Sequence, residues 1–117
     1  MMKLDTHFEE CEQPDSSEFY LANKVFVKTG LFKKAGCVIP QHSHEDDHTT
    51  FIATGAVHAW KDEEYLGWFH APCGIFIEKR CKHTFKTTEE NTTVMCIHNI
   101  AETGMVELHD LHDLTFP

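Results

Sequence analysis

The chain has 117 residues, of which 41% are hydrophobic, so it is long enough to form one domain around a core without disulfide bonds. Its formal net charge is −9 and it carries no basic stripe, which argues against a nucleic-acid partner. No apolar run approaches the roughly 18 residues of a membrane span, and residues 1–10 lack the apolar stretch of a signal peptide.

The cysteine content indicates the redox compartment. The number of cysteines is odd, and no two of them form a Cys-x-x-Cys pair. Free thiols in a reducing environment are the expected state, and we therefore predict a cytoplasmic protein. The five residues are Cys11, Cys37, Cys73, Cys81 and Cys96.

Three regions follow one another along the chain. Residues 1–18 are acidic and polar, which predicts an N-terminal arm or a short edge element. Residues 19–103 form the predicted domain. In residues 104–117, leucines recur at three-residue steps, which predicts a tail with a short helix or turn.

The domain reads as all-β. Short runs rich in β-branched and aromatic residues are separated by turn signals roughly every 8 to 12 residues, as in a β-sandwich or barrel. No helical period occurs between residues 19 and 100. The predicted strands cover residues 24–34, 49–54, 56–60, 65–69, 75–77, 83–87 and 92–98.

A cluster of histidines is the main functional signal. His42, His44 and His48 stand within seven residues, and His83 follows on a later strand. A His-x-His pair on an extended segment places both rings on one face, and imidazole is the commonest side chain for divalent transition metals. The alternatives are a polar loop with incidental histidines and, for His83, an ordinary strand histidine. A closed structural zinc site is usually rich in cysteine, so an all-histidine set favours an accessible metal.

The frame around these histidines resembles the first motif of the cupins, which are small jelly-roll barrels. That motif is Gly, five residues, His-x-His, three or four residues, Glu, six residues and Gly. Gly36, His42, His44 and Gly55 keep this frame without insertion, and His48 stands where the family has its metal-binding glutamate. The resemblance implies a cupin jelly roll and makes these histidines metal ligands.

The second cupin motif ends in the histidine that completes the metal site, and His83 takes that position. The chain departs from this motif elsewhere. The motif's proline and glycine fall at Glu78 and Arg80, and its trailing asparagine falls at Thr87. The resemblance covers residues 24–100.

By this resemblance the chain is similar to small single-domain cupins that bind iron, manganese, nickel, copper or zinc through four histidines, often as homodimers. Four neutral imidazoles leave the charge of a divalent ion uncompensated, which favours an anionic, oxygen-chelating small molecule. We expect a dioxygenase-type oxidoreductase that acts on a small organic acid or diketone. The alternatives are a metal-dependent isomerase or lyase and a non-catalytic sensor, because fold alone does not choose among activities.

Period-two alternation gives further expectations for the pocket. From His48 it predicts that Thr50, Ile52 and Thr54 face inward, and from His83 it predicts the same for Cys81 and Phe85; ordinary core packing is the simpler reading of each. His98 is a candidate proton carrier and Cys81 a candidate pocket residue. His58 and Trp60 are expected to face outward, whereas Val57 and Ala59 face inward. The acidic run at residues 45–47 and the His/Asp-rich residues 109–113 are expected to be solvated.

Overall fold

The computed structural model describes residues 13–40 and 47–101. Within these ranges the chain forms nine β-strands and no helix, and hence no helix long and apolar enough to cross a membrane. The strands are β1 (Ser16–Ala22), β2 (Val25–Phe32), β3 (Val38–Pro40), β4 (His48–Thr54), β5 (Ala56–Lys61), β6 (Glu64–His70), β7 (Cys73–Ile77), β8 (His83–Thr87) and β9 (Thr92–Asn99).

The strands form two antiparallel sheets. Sheet A has the order β1-β2-β9-β4-β7 and sheet B the order β3-β8-β5-β6. Side chains from the inner faces of both sheets meet in one apolar core, which the alternation of buried and exposed residues along each strand produces. The predicted all-β jelly roll is confirmed. Members of the core include Phe32, Ile52, Ile77 and Val94 from sheet A and Ile39, Val57, Ala59 and Phe85 from sheet B.

Strand register arranges the inner face of sheet A in rows, because residues directly opposite each other on antiparallel strands share a face. Two of these rows carry buried polar side chains. The histidine row consists of Ile77, His48, His98 and Phe26, from β7, β4, β9 and β2. The lysine row lies two residues further along each of the same strands and consists of Ile75, Thr50, Cys96 and Lys28.

The two glycines that bound the histidine motif, Gly36 and Gly55, both have a positive φ. Gly55 turns the chain from β4 into β5 with a φ of +79°, and Gly36 lies before β3 with a φ of +87°. Both conformations lie in the left-handed region that favours glycine. At Gly55 the backbone also passes close to Thr92, so that a Cβ atom built there would lie 2.7 Å from the Thr92 Cα. This close approach brings β4 and β9 together at the bend.

The expected face of one residue is wrong. Thr54 is exposed rather than inward, because the register of β4 against β9 shifts between Ile52 and Thr54. The irregularity ends the alternation, and the Thr54 hydroxyl donates a hydrogen bond to the Asn91 carbonyl at 2.7 Å. Thr50 and Ile52 are fully buried, as alternation from His48 predicts.

Several expectations lie at the ends of the described chain. β1 is an edge strand of sheet A that begins at Ser16, and Tyr20 and Leu21 on it are exposed. The division into an arm, a domain and a tail stays a prediction, as does the homodimer. Cys11 and the predicted C-terminal turn lie outside the described residues, whereas the other four cysteines are free.

Candidate metal centre

Two histidines meet at one end of the inner face of sheet A. His48 begins β4, His98 is directly opposite on β9, and their side chains are 3% and 2% exposed. Their rings stack with centroids 4.4 Å apart and planes inclined by 19°. The ring of Phe26 packs against His98 at 5.8 Å. The fold therefore holds His98, the candidate proton carrier, directly beside a predicted metal ligand.

His83 begins β8 in the opposite sheet and is also buried, with 2% of its side chain exposed. Its ring lies 6.4 Å from that of Phe85, which belongs to the core. Among residues 13–40 and 47–101, the buried Nδ1 atom of His83 has no hydrogen-bond partner. A buried nitrogen without a partner is unfavourable unless something binds it, and a metal ion is one such group.

The charge state of His83 suits coordination. Burial lowers the pKa of the imidazole below its ordinary value, and the positive charge of Lys61 lowers it further. Asp62 and Glu78 act in the opposite direction and do not reverse the shift. His83 is consequently neutral at pH 7, which is the form of histidine that binds metals.

Strand register places His48 and His83 at the same end of the two sheets. His48 is paired with Ile77 at the end of β7. The next residue, Glu78, makes an ion pair with Lys61, with Oε1 and Nζ 3.8 Å apart. Lys61 is in turn the register partner of His83. The two sheets thus bring both buried imidazoles to the side where β7 ends and β8 begins.

The other two predicted ligands, His42 and His44, lie outside the described residues. The segment that carries them connects Pro40 to Asp47. Pro40 is paired with Thr84, next to the first residue of β8, and Asp47 directly precedes β4. Both ends of the segment are therefore anchored beside the buried histidines His83 and His48.

Within the described part of the chain, no three His, Cys, Asp or Glu side chains are grouped closely enough to hold a metal ion. A centre of the predicted kind consequently depends on the histidines at residues 42 and 44. The described ligands fit such a centre, since His48 and His83 are buried at one end of the barrel and His83 is neutral with an unsatisfied Nδ1 atom.

The candidate pocket residue Cys81 lies outside the strands. Cys81 lies in the turn before β8, half-buried, and its backbone N–H donates to the Glu78 carbonyl at 3.2 Å, so the alternation from His83 does not extend to it. Its pocket role stays a prediction. Cys96 is instead the cysteine of the inner face, at 1% exposure, with its Sγ 3.9 Å from the Thr50 hydroxyl.

Lys28 is a buried residue of the inner face that sequence reasoning missed. It is 1% exposed and occupies the lysine row beside Cys96. Period-two counting from Phe26 would have placed it on the inner face. The residue type masks that signal, because lysine is almost never fully buried.

The outer face of sheet B carries a separate aromatic group. The Nδ1 atom of His58 lies 2.8 Å from the Tyr65 hydroxyl, and both rings pack against Trp60. His58 is half-buried and Trp60 is 2% exposed, although Val57 and Ala59 occupy the core as expected. Trp60 is thus buried, although Ala59, the residue before it, also belongs to the core.

Comparison with known proteins identifies the architecture. No protein-family model and no curated protein matches the sequence. Among solved structures, a cupin 2 conserved barrel domain protein from Salinispora arenicola superimposes with a TM-score of 0.64 at 13% identity, covering 86% of this chain and 90% of that chain. KdgF from a Halomonas species gives a TM-score of 0.61 at 15% identity, covering 76% and 82% of the respective chains.

A third neighbour is an RmlC-like cupin from Shewanella frigidimarina, with a TM-score of 0.59 at 13% identity over 90% of this chain and 100% of that chain. At these identities the likeness establishes the fold alone. The chain has the cupin fold.

Proposed function

We propose that this cupin-fold protein binds a divalent transition metal through His42, His44, His48 and His83 and acts on a small organic molecule that chelates the metal through oxygen. The observation that carries the proposal is the state of His83. Its ring is buried and neutral, and its Nδ1 atom has no partner among the described residues, at the barrel end that also holds His48.

The choice of ligand follows from charge. Four neutral imidazoles contribute no negative charge, whereas a glutamate in place of His48 would contribute one. The site therefore favours an anionic oxygen group, a carboxylate or an enolate, over a neutral one. When bound, the metal supplies Lewis acidity and, if it is redox-active, electron transfer with dioxygen.

The side chains around the site have separate tasks. The apolar core beneath it, including Ile77 and Phe85, keeps water from the inner end of the pocket. The ring of His98 stacks on that of His48, and we assign its buried Nε2 atom the task of holding or releasing a proton next to the bound molecule. Cys81 remains a candidate residue of the pocket.

The reaction that we propose is oxygen-dependent oxidation of a small chelating organic acid or diketone. The fold and the ligand set serve equally for isomerisation or elimination without dioxygen. The buried position of His98 beside the candidate centre favours that second reaction, because such reactions depend on proton transfer at carbon.

One experiment tests metal binding and separates the two reactions. Protein purified without added metal is analysed for its elemental content and then screened with oxo acids, hydroxy acids and diketones under air and under strict anaerobiosis. Bound iron or manganese with oxygen uptake supports the oxidation. Turnover without oxygen supports the isomerase or lyase. A protein that binds no divalent transition metal, even when one is supplied, refutes the proposal as a whole.

A further inference from the structure

The outer face of sheet A, on the side opposite the histidine row, carries a continuous apolar surface. Strand register arranges this face in rows that cross all five strands. One row runs from Phe76 on β7 through Thr49, Ile97 and Val27 to Tyr20 on β1. Tyr20 and Phe76 are 65% and 61% exposed, and Ile97 and Val27 between them are half-buried. Apolar side chains of sheet A therefore point outward as well as into the core.

This outer face is also depleted of charge. The next row along the strands contains the half-buried side chains of Phe51 and Met95. In a chain of which 25% is charged, the outward positions of β2, β4, β7 and β9 carry no lysine, arginine, aspartate or glutamate. Glu18, on the edge strand β1, is the one such residue of the face. Depletion of charged residues is typical of the core of a protein interface and not of a solvated strand face.

The outer face of sheet B has a different composition. Register places Lys86, His58 and Trp68 in one of its rows. At the end of β6, His70 lies beside Glu89, with Nε2 and Oε1 3.3 Å apart. The exposed Trp68 and Leu66 are thus single apolar side chains on a polar surface, which is ordinary for a soluble protein. The extended apolar face belongs to sheet A alone among the described strands.

The size of the face suits a protein partner. Five strands about 4.8 Å apart span about 24 Å, and the rows from Val25 to Leu31 on β2 span about 20 Å. The face therefore measures roughly 500 Å² in projection, and its accessible area is larger because side chains rise from it. Monomers rarely expose apolar patches of more than a few hundred Å², whereas a stable dimer removes about 800 Å² of accessible surface from each partner.

The partner that fits this face is a second copy of the chain. The face offers almost no charge for a partner that is recognised by charge, whereas a second copy brings an apolar sheet of the same size. Two copies with a net charge of −9 repel each other, and the face keeps that charge away from the contact. We propose that the outer faces of sheet A pack against each other about a twofold axis, as the sheets of a β-sandwich do, and form a homodimer.

The mass of the native chain in solution provides the first test. Sedimentation equilibrium from micromolar to near-millimolar concentration is expected to give twice the chain mass of 13.5 kDa. Because the contact is apolar, added salt should leave the dissociation constant unchanged or lower it, since salt screens the repulsion between the two copies. A monomer at every concentration overturns the inference. A dimer that salt dissociates also overturns it, because ion pairs would then hold the copies together.

Variants assign the contact to the face. Phe76→Lys and Tyr20→Lys each bury an unpaired charge in the dimer, at side chains that are mostly exposed in the single chain. We expect each to raise the dissociation constant of the dimer tenfold or more. Leu66→Lys is the matched control, because Leu66 is 41% exposed on β6 of sheet B and the substitution adds the same charge. Equal weakening by Leu66→Lys would remove the contact from sheet A.

The two variants also distinguish face packing from pairing between the free edges of β1. Tyr20 lies on β1, whereas Phe76 lies on β7 at the opposite edge of sheet A. A dimer that Tyr20→Lys dissociates and Phe76→Lys does not is held by its edges, and the inference is then wrong. Urea unfolding shows that each variant is folded. If Phe76→Lys does not fold, Thr49→Lys on β4 replaces it, because Thr49 belongs to the same row and also lies away from β1.

Discussion

His48 and His98 are directly opposite each other on β4 and β9, and their rings stack with centroids 4.4 Å apart. On its other side His98 packs against Phe26 at 5.8 Å. The stack restricts the orientation of the His48 ring and places a second buried imidazole beside it.

The first prediction separates the packing role of His98 from its chemistry. His98→Phe retains a planar ring between its two neighbours, so we expect the free energy of unfolding to change by less than about 1.5 kcal/mol. His98→Ala leaves a cavity and is expected to cost about 2–4 kcal/mol. If His98 transfers a proton, turnover falls about 100-fold or more in both variants. Denaturant unfolding and steady-state rates provide the two measurements. Native turnover in His98→Phe would show that the ring serves packing alone.

The second prediction concerns the ligand set. His48→Gln and His83→Gln each remove one ring nitrogen from the proposed centre, and we expect the metal affinity of each variant to fall at least about tenfold. His70→Gln is the control, because His70 is exposed on β6 and its Nε2 atom lies 3.3 Å from Glu89. Competition against a chelator of known affinity measures the change. Unchanged affinity in His83→Gln would remove that residue from the set.

The alternation of residue types allowed most of the fold to be predicted from the sequence. Seven runs became strands β2 and β4 to β9, because each carries apolar residues at every second position and ends at a turn signal. β3 was missed. It is only three residues long and ends at Pro40, so it provides neither a period nor typical strand composition.

The features that sequence could not provide depend on tertiary context. Thr54 follows the same period as Thr50 but is exposed, because a register shift against β9 comes between them and depends on both strands. Lys28 has the residue type of a solvated strand face, yet the fold buries it. The stack of His98 on His48 requires two strands to pair at residues that are 50 positions apart in the sequence (98 − 48), and no local pattern encodes that pairing. The Gly36–Gly55 spacing gave the candidate ligands because a motif, unlike a register, is local.

The third prediction uses the two glycines as a matched pair. Gly55→Ala combines a left-handed backbone with a Cβ atom that would overlap the Thr92 side chain and lie 2.7 Å from its Cα. We expect it to destabilise the fold by about 2–5 kcal/mol, the sum of backbone strain and overpacking. Gly36→Ala has a similar φ but open space around its Cβ, and is expected to cost about 1 kcal/mol. Equal losses of unfolding free energy would mean that the contact with Thr92 relaxes without cost.

The fourth prediction is a pH dependence that follows from His83. Burial and Lys61 lower the pKa of its imidazole in the folded chain below the unfolded value of 6.5. Below pH 6.5 the unfolded chain therefore takes up a proton at this residue before the folded chain does. The stability that His83 contributes is complete above pH 6.5 and is lost as the pH falls through the folded pKa.

Metal-free protein should accordingly lose unfolding free energy between pH 7 and pH 5 more steeply than His83→Gln does. The difference in slope is at most about 1.4 kcal/mol per pH unit, the limit for one proton. Urea unfolding at half-unit pH steps measures both curves, and comparison with the variant cancels the contribution of the other histidines. Lys61→Gln tests the cause, because removal of that positive charge raises the His83 pKa toward its ordinary value and should make the decline shallower than in the native chain. Parallel curves for native protein and His83→Gln would mean that the imidazole titrates as if it were in water, and a buried neutral ligand at this position would then be ruled out.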